Sequence, residues 1–179
     1  MKQIFLSTLF TLWVFQGFSQ EINTKQWTLF SKTTADWCSL CGGWGWNFQK
    51  QLIDNFENKN TIIWALHTST SGLTNNTAKD IITNLGGSGQ PRFFESQTNM
   101  NASSSNIASK LEDAAAIVEF NQLSDPIAGI GMTATIEKKK NISVSADVEF
   151  ISNAEDGRFY LGLYLVEDKL VHPQANQGD

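Results

Sequence analysis

Both cysteines of the 179-residue chain lie in Trp37-Cys38-Ser39-Leu40-Cys41, with two residues between them. A disulfide stabilises mainly by constraining the unfolded chain, and the constraint grows with the length of the loop it closes. A bridge across so short a loop constrains almost nothing, so the spacing favours thiol-disulfide exchange. An inert local bridge and a metal site stay open beside it. A structural zinc site needs a full tetrahedral ligand set, and His67 and His172, the further candidates, lie far apart without paired spacing. No residue is assigned to metal binding.

Residues 1–20 begin with a single basic residue, Lys2, run through an apolar stretch from Ile4 to Phe15, and finish in Gly17-Phe18-Ser19. That order of basic, apolar and small residues is the pattern of a cleavable secretory signal. The stretch is shorter than the roughly 20 residues that a bilayer-spanning helix needs. The mature chain is therefore expected to be soluble and exported. No cysteine stands near the cleavage region to carry a lipid, so membrane association would run through a partner. Loss of Lys2 moves the formal charge from −5 to −6, a mildly acidic balance. Such a balance argues against nucleic acid as a partner. The one dense basic run, Lys138-Lys139-Lys140, precedes Asn141 between two alternating segments and reads as a solvated hairpin turn. Hydrophobic residues make up 41% of the chain, enough to build a core rather than a disordered polymer.

Residues 21–123 carry an α/β order. A strand is expected over Gln26–Ser31, and a helix with Phe48, Leu52, Ile53 and Phe56 on one face follows the cysteines. Because Gly42, Gly43 and Gly45 each cost about 1 kcal/mol inside a helix, that helix is expected to be firm only from Trp46. Trp44, Trp46 and Phe48 are read as core residues in preference to a peptide-binding face beside the thiols. Thr61–His67 reads as a buried parallel strand, Thr77 and Asp80 as a capping box for a second helix that Gly86 stops, and Arg92–Glu95 as a short strand. Ser96–Ser105 has no pattern, and Ile107, Leu111, Ala114 and Val118 mark a third helix.

Residues 124–179 change to a period of two. Ile130 to Ile136, Ile142 to Phe150 and Phe159 to Leu165 alternate apolar with small or polar residues, which predicts an antiparallel meander. Three such strands are too few for an immunoglobulin-type sandwich. The expectation is a small, incomplete immunoglobulin-like β domain: either this sheet leans on the first domain or the chain is a fragment, and the second is preferred.

A strand leading into Cys-x-x-Cys at a helix start places the first sulfur where unpaired backbone N–H groups favour negative charge. Cys38 is then the expected nucleophile and Cys41 the resolving thiol, with Trp37 shielding the pair and offering apolar surface to a peptide. Here the chain resembles the thioredoxin superfamily, through Ala35-Asp36-Trp37-Cys38-Ser39-Leu40-Cys41 between a strand and a helix and through Pro91 before a strand. The resemblance spans Lys25 to Phe120. It implies a cis Pro91 lying against the pair, with Gln90 offering backbone hydrogen bonds to a bound peptide. The chain departs from the family in three places: Ser39-Leu40 replaces Gly-Pro, Lys32 stands where an acid assists the second cysteine, and Ser96–Ser105 leaves little room for an edge strand.

Both parts together, including Ser124-Asp125-Pro126-Ile127-Ala128-Gly129 and Tyr160-Leu161-Gly162-Leu163-Tyr164, resemble the secreted outer-membrane-protein family of the twenty-eight-kilodalton type. What the resemblances imply is an exported α/β thioredoxin-like domain followed by a small antiparallel β domain. Its substrates would be protein thiols or disulfides, served by a redox partner protein. A cell-envelope partner would bind the β domain, and no cofactor is expected beyond the Cys38–Cys41 disulfide. The competing reading is a non-catalytic envelope module built on the same scaffold.

Overall fold

In a computed structural model of the chain, residues 21–68, 73–87, 89–137, 141–152, 157–168 and 170–176 are described; the expected export segment and the Lys138-Lys139-Lys140 turn lie outside them. Among the described residues no helix is long and apolar enough to cross a membrane. The elements run β1 (Thr28–Thr34), α1 (Ser39–Gly42), α2 (Trp44–Phe56), β2 (Thr61–His67), α3 (Asn76–Asn84), β3 (Arg92–Glu95), β4 (Thr98–Asn99), α4 (Ile107–Leu123), β5 (Ala128–Glu137) and β6 (Asn141–Phe150).

β1 to β4 form one four-stranded sheet in the order β2-β1-β3-β4. β1 starts later than the hydrophobic pattern suggests and runs on past Lys32 through Thr33 and Thr34, because β-branched residues suit a pleated surface and each residue from Thr28 to Thr34 has a parallel partner in Thr61 to His67. β3 pairs antiparallel with the other edge of β1, Lys32 facing Phe93. β2 is an edge strand with Ile62 and Ala65 exposed, rather than the buried strand expected. The patternless Ser96–Ser105 stretch does supply an edge strand, the two-residue β4.

Successive strand residues face opposite sides of a sheet, and both sides are covered. Phe30, Ile63 and Phe93 meet Phe48, Leu52 and Phe56 of α2 and Ala114 and Val118 of α4. Trp64 and Leu66 on the opposite side meet Ala78 and Ile82 of α3. α3 starts at Asn76 because the Asn75 side chain accepts from the Ala78 N–H at 2.8 Å; the cap is this Asx contact, two residues ahead of the Thr77-Asp80 box. This mixed sheet and its helices, followed by a separate two-stranded antiparallel sheet, agree with the expected α/β part and small β part.

The second sheet corrects the expected meander. Its register sets Ile130 opposite Val148, Met132 opposite Ala146 and Ile136 opposite Ile142, so the apolar positions of β5 and β6 share one face. Residues 157–168, read as a third strand, form none. Tyr164 instead stands edge-on to Trp64 of β2 with ring centroids 5.6 Å apart, and Phe159 packs on Phe150 at 5.2 Å. Aromatic contacts with two different elements replace the ladder that the alternation suggested. Asn23 extends the sheet on its other side by a bridge to Ile130.

Candidate active site

β1 delivers the chain into the thiol turn. Cys38 is the N-cap of α1 with extended backbone angles, and the Cys41 N–H points at Cys38 Sγ over 3.2 Å. The two cysteines are joined in a disulfide with Cα atoms 5.2 Å apart. Cys38 is 6% exposed and Cys41 1%. α1 is a separate single turn, because Gly43 (φ −79°, ψ −111°) breaks the helical path and its N–H closes on the Ser39 carbonyl. α2 then begins at Trp44, ahead of the expected Trp46.

Gly45 sits inside α2 for a steric reason. A Cβ there would lie 2.8 Å from Pro91 Cγ and 3.2 Å from the Leu40 carbonyl oxygen. The residue that weakens the helix by propensity is the one that lets the Pro91 ring close over its first turn. The Gln90–Pro91 peptide bond is cis, and the Gln90 carbonyl oxygen lies 3.7 Å from Cys38 Sγ. A disulfide sulfur has no proton, so this is a contact in the oxidised pair; once the pair is reduced, the same oxygen can accept a hydrogen bond from the Cys38 thiol. Cys38, Cys41, Gln90 and Pro91 thus meet in one place. Trp37 adjoins them but is 64% exposed, presenting its indole to solvent rather than covering the sulfurs. Trp44 packs on Phe93, as a core residue should, whereas Trp46 is exposed.

Lys32 lies beneath the pair. Its residue is 4% exposed, its ammonium donates to the Cys41 carbonyl at 3.1 Å, and it stands 5.8 Å from the Trp46 ring centroid. Burial lowers its pKa from 10.5 to about 8, because desolvation disfavours the charged form. Among the described residues no carboxylate forms an ion pair with it. The signal for its burial is present in the sequence: two residues after Phe30 on the same strand, it shares the core-facing side. His67, at the end of β2, is also depressed, first by burial and further by the charges of Lys32 and His172, against an upward pull from Asp36. His67 Nδ1 is buried without a hydrogen-bond partner among the described residues. His172 Nδ1 approaches Asp36 Oδ2 at 4.0 Å, so the histidines that are far apart in sequence border the same turn.

The 170–176 segment also reaches the turn. Gln174 Nε2 donates to the carbonyls of Ala35 and Asp36 at 3.0 Å and of Cys38 at 3.1 Å, and the Ala175 N–H donates to the Asp36 carbonyl at 2.8 Å. Nothing in the polar run around Gln174 signals this placement.

No protein-family model and no curated protein matches the chain. Among solved structures it is similar to HBP35 of Porphyromonas gingivalis, with a TM-score of 0.44 and 16% sequence identity over 64% of this chain and 38% of that one. The chain spans well under half the length of that protein.

Proposed function

We propose that the chain is an exported thiol-disulfide oxidoreductase acting on protein substrates through Cys38 and Cys41. The observation that carries this reading is the Cys38–Cys41 disulfide held at a strand-to-helix turn with the Gln90 carbonyl 3.7 Å from Cys38 Sγ. In the reducing direction the Cys38 thiolate attacks one sulfur of a substrate disulfide, forming a mixed disulfide and releasing the first substrate thiolate. The Cys41 thiolate then attacks Cys38 Sγ, releases the second substrate thiolate and restores the Cys38–Cys41 disulfide. The substrate gains two electrons and a dithiol partner protein returns them to the pair; oxidation of a substrate runs the same steps in reverse. Cys38 is the nucleophile because the Cys41 N–H already points at its sulfur. Gln90 and Pro91 border the place where the substrate strand lies, and Trp37 offers it apolar surface.

The experiment is reduction or oxidation of a model protein disulfide by the wild type and by Cys38→Ser. Turnover should vanish in the variant; equal turnover in both would end this reading.

The burial of both sulfurs favours a second reading, a non-catalytic envelope module on the same scaffold. It expects the Cys38 thiol of the reduced protein to be no more acidic than a free cysteine, since apolar burial disfavours the thiolate. A thiolate titration by absorbance separates the two, since the first reading expects a lower value.

A further inference from the structure

We propose that the backbone carbonyls of Ala35, Asp36 and Cys38 form a recognition site for an extended peptide bearing a side-chain N–H donor, occupied in cis by Gln174. The site goes beyond thiol exchange and does not require that the cysteines turn over.

The argument starts from the acceptors. Once β1 ends, the turn bends so that three backbone acceptors converge on one point, and Gln174 Nε2 lies 3.0, 3.0 and 3.1 Å from them. Each carbonyl oxygen has two lone pairs; Ala35 uses one for the Cys38 N–H and Asp36 one for the Ala175 N–H, so both can take the side-chain donor, whereas the Cys38 carbonyl already accepts from the Cys41 and Gly42 N–H groups and adds a shared, weaker contact. The primary amide brings only two hydrogens to these three oxygens and to the Ala175 carbonyl at 3.2 Å, whereas an ammonium brings three. The site therefore takes glutamine and accommodates lysine better, and it repels a carboxylate, which can only accept.

Side-chain capture is paired with backbone recognition. The Ala175 N–H donates to the Asp36 carbonyl at 2.8 Å, so the occupying strand is held one residue beyond the captured side chain. Gly42 completes the cradle. A Cβ at Gly42 would run into the Ala175 carbonyl and Asn176 Oδ1, and would lie 3.0 Å from Gln174 Cγ. That close approach puts the strand over α1, the turn that carries Cys41. A client segment with the same donor pattern would have to displace the chain's own, which makes residues 172–176 a competitor as well as a template.

The test reads hydrogen exchange and peptide binding, neither of which involves the thiols, on the full chain with its disulfide intact. In the wild type the Ala175 amide should be protected at least about tenfold over its unstructured rate, equivalent to about 1.4 kcal/mol. Gln174→Glu and Gly42→Ala should each abolish that protection, the first by charge and the second by sterics, while Gln174→Lys should retain it. A fluorescent peptide with the sequence of residues 170–176 should bind the Gln174→Glu protein, and the same peptide with glutamate for the glutamine should not. An unprotected Ala175 amide in the wild type, protection that survives Gln174→Glu, or equal binding of the two peptides would each overturn the proposal. Both readouts are taken on proteins that keep both cysteines, so the turnover of Cys38→Ser has no bearing on them and the two ideas fail separately.

Discussion

The ammonium of Lys32 donates to the carbonyl of Cys41 over 3.1 Å, from a residue only 4% exposed. A cation is thereby placed under the resolving cysteine with one backbone acceptor and an aromatic neighbour as compensation. The cost of burying it shows in its pKa, lowered from 10.5 to about 8.

The consequence for stability has a definite sign. Between pH 8 and 10.5 the unfolded chain holds the Lys32 proton and the folded chain does not. Stability contributed by this group therefore rises with pH across that window. At about 1.4 kcal/mol per pKa unit, the full rise is about 3 kcal/mol. Lys32→Met keeps the length of the side chain and removes the charge, so the variant should be more stable near neutral pH and should lack this rise. Urea unfolding from pH 7 to 11 measures the difference between the two proteins; parallel curves would show that Lys32 is not desolvated.

His67 should titrate below 6.5 in the folded protein, mainly because it is buried. Unfolded chain then takes up this proton first as the pH falls, so the histidine's contribution is present above 6.5 and is lost on acidification. Two neighbours push in opposite directions. Asp36→Asn should lower the His67 pKa further, and His172→Asn should raise it, as followed by the imidazole proton resonances. Shifts of the same sign in both variants would contradict the charge arrangement around the turn.

The sequence reveals the sheet better than it reveals the site. Thr61–His67 and Arg92–Glu95 keep the bounds that their sequence pattern predicts, because short apolar runs between polar loops identify strands without reference to partners. Residues 157–168 alternate just as well and form no strand, since alternation names an apolar face but not the ladder that must accept it. Propensity misplaces the start of α2 because Gly45 answers to the Pro91 ring, a contact made across the fold. Gln174 is illegible for a similar reason. Its partners are backbone carbonyls, which every residue has, so no side-chain pattern marks them.

Gly45→Ala tests whether that steric reason outweighs helix propensity. In an exposed helix the substitution would stabilise by about 1 kcal/mol. Here the added methyl meets Pro91 Cγ at 2.8 Å, Pro91 Cβ at 3.0 Å and a backbone oxygen at 3.2 Å, with little freedom to yield. Overpacking of this kind typically costs about 1–3 kcal/mol. Net destabilisation is expected in denaturant unfolding, and a stabilised variant would mean that the Pro91 loop yields readily.

Trp37 separates binding from chemistry at the proposed active site. At 64% exposure it contributes little to the core, and replacement of such a surface residue usually changes stability by no more than about 0.5 kcal/mol. Covering half of an indole with a peptide is worth on the order of 1–2 kcal/mol, which corresponds to about tenfold in kcat/KM. Trp37→Ala should therefore lose about tenfold on a folded or peptide disulfide substrate while leaving the rate on a small aliphatic disulfide unchanged, since only the larger substrate reaches the indole. Equal losses on both would place Trp37 in the support of the thiol turn instead of in contact with the substrate. Equal rates on both, with stability unaltered, would remove it from the binding surface.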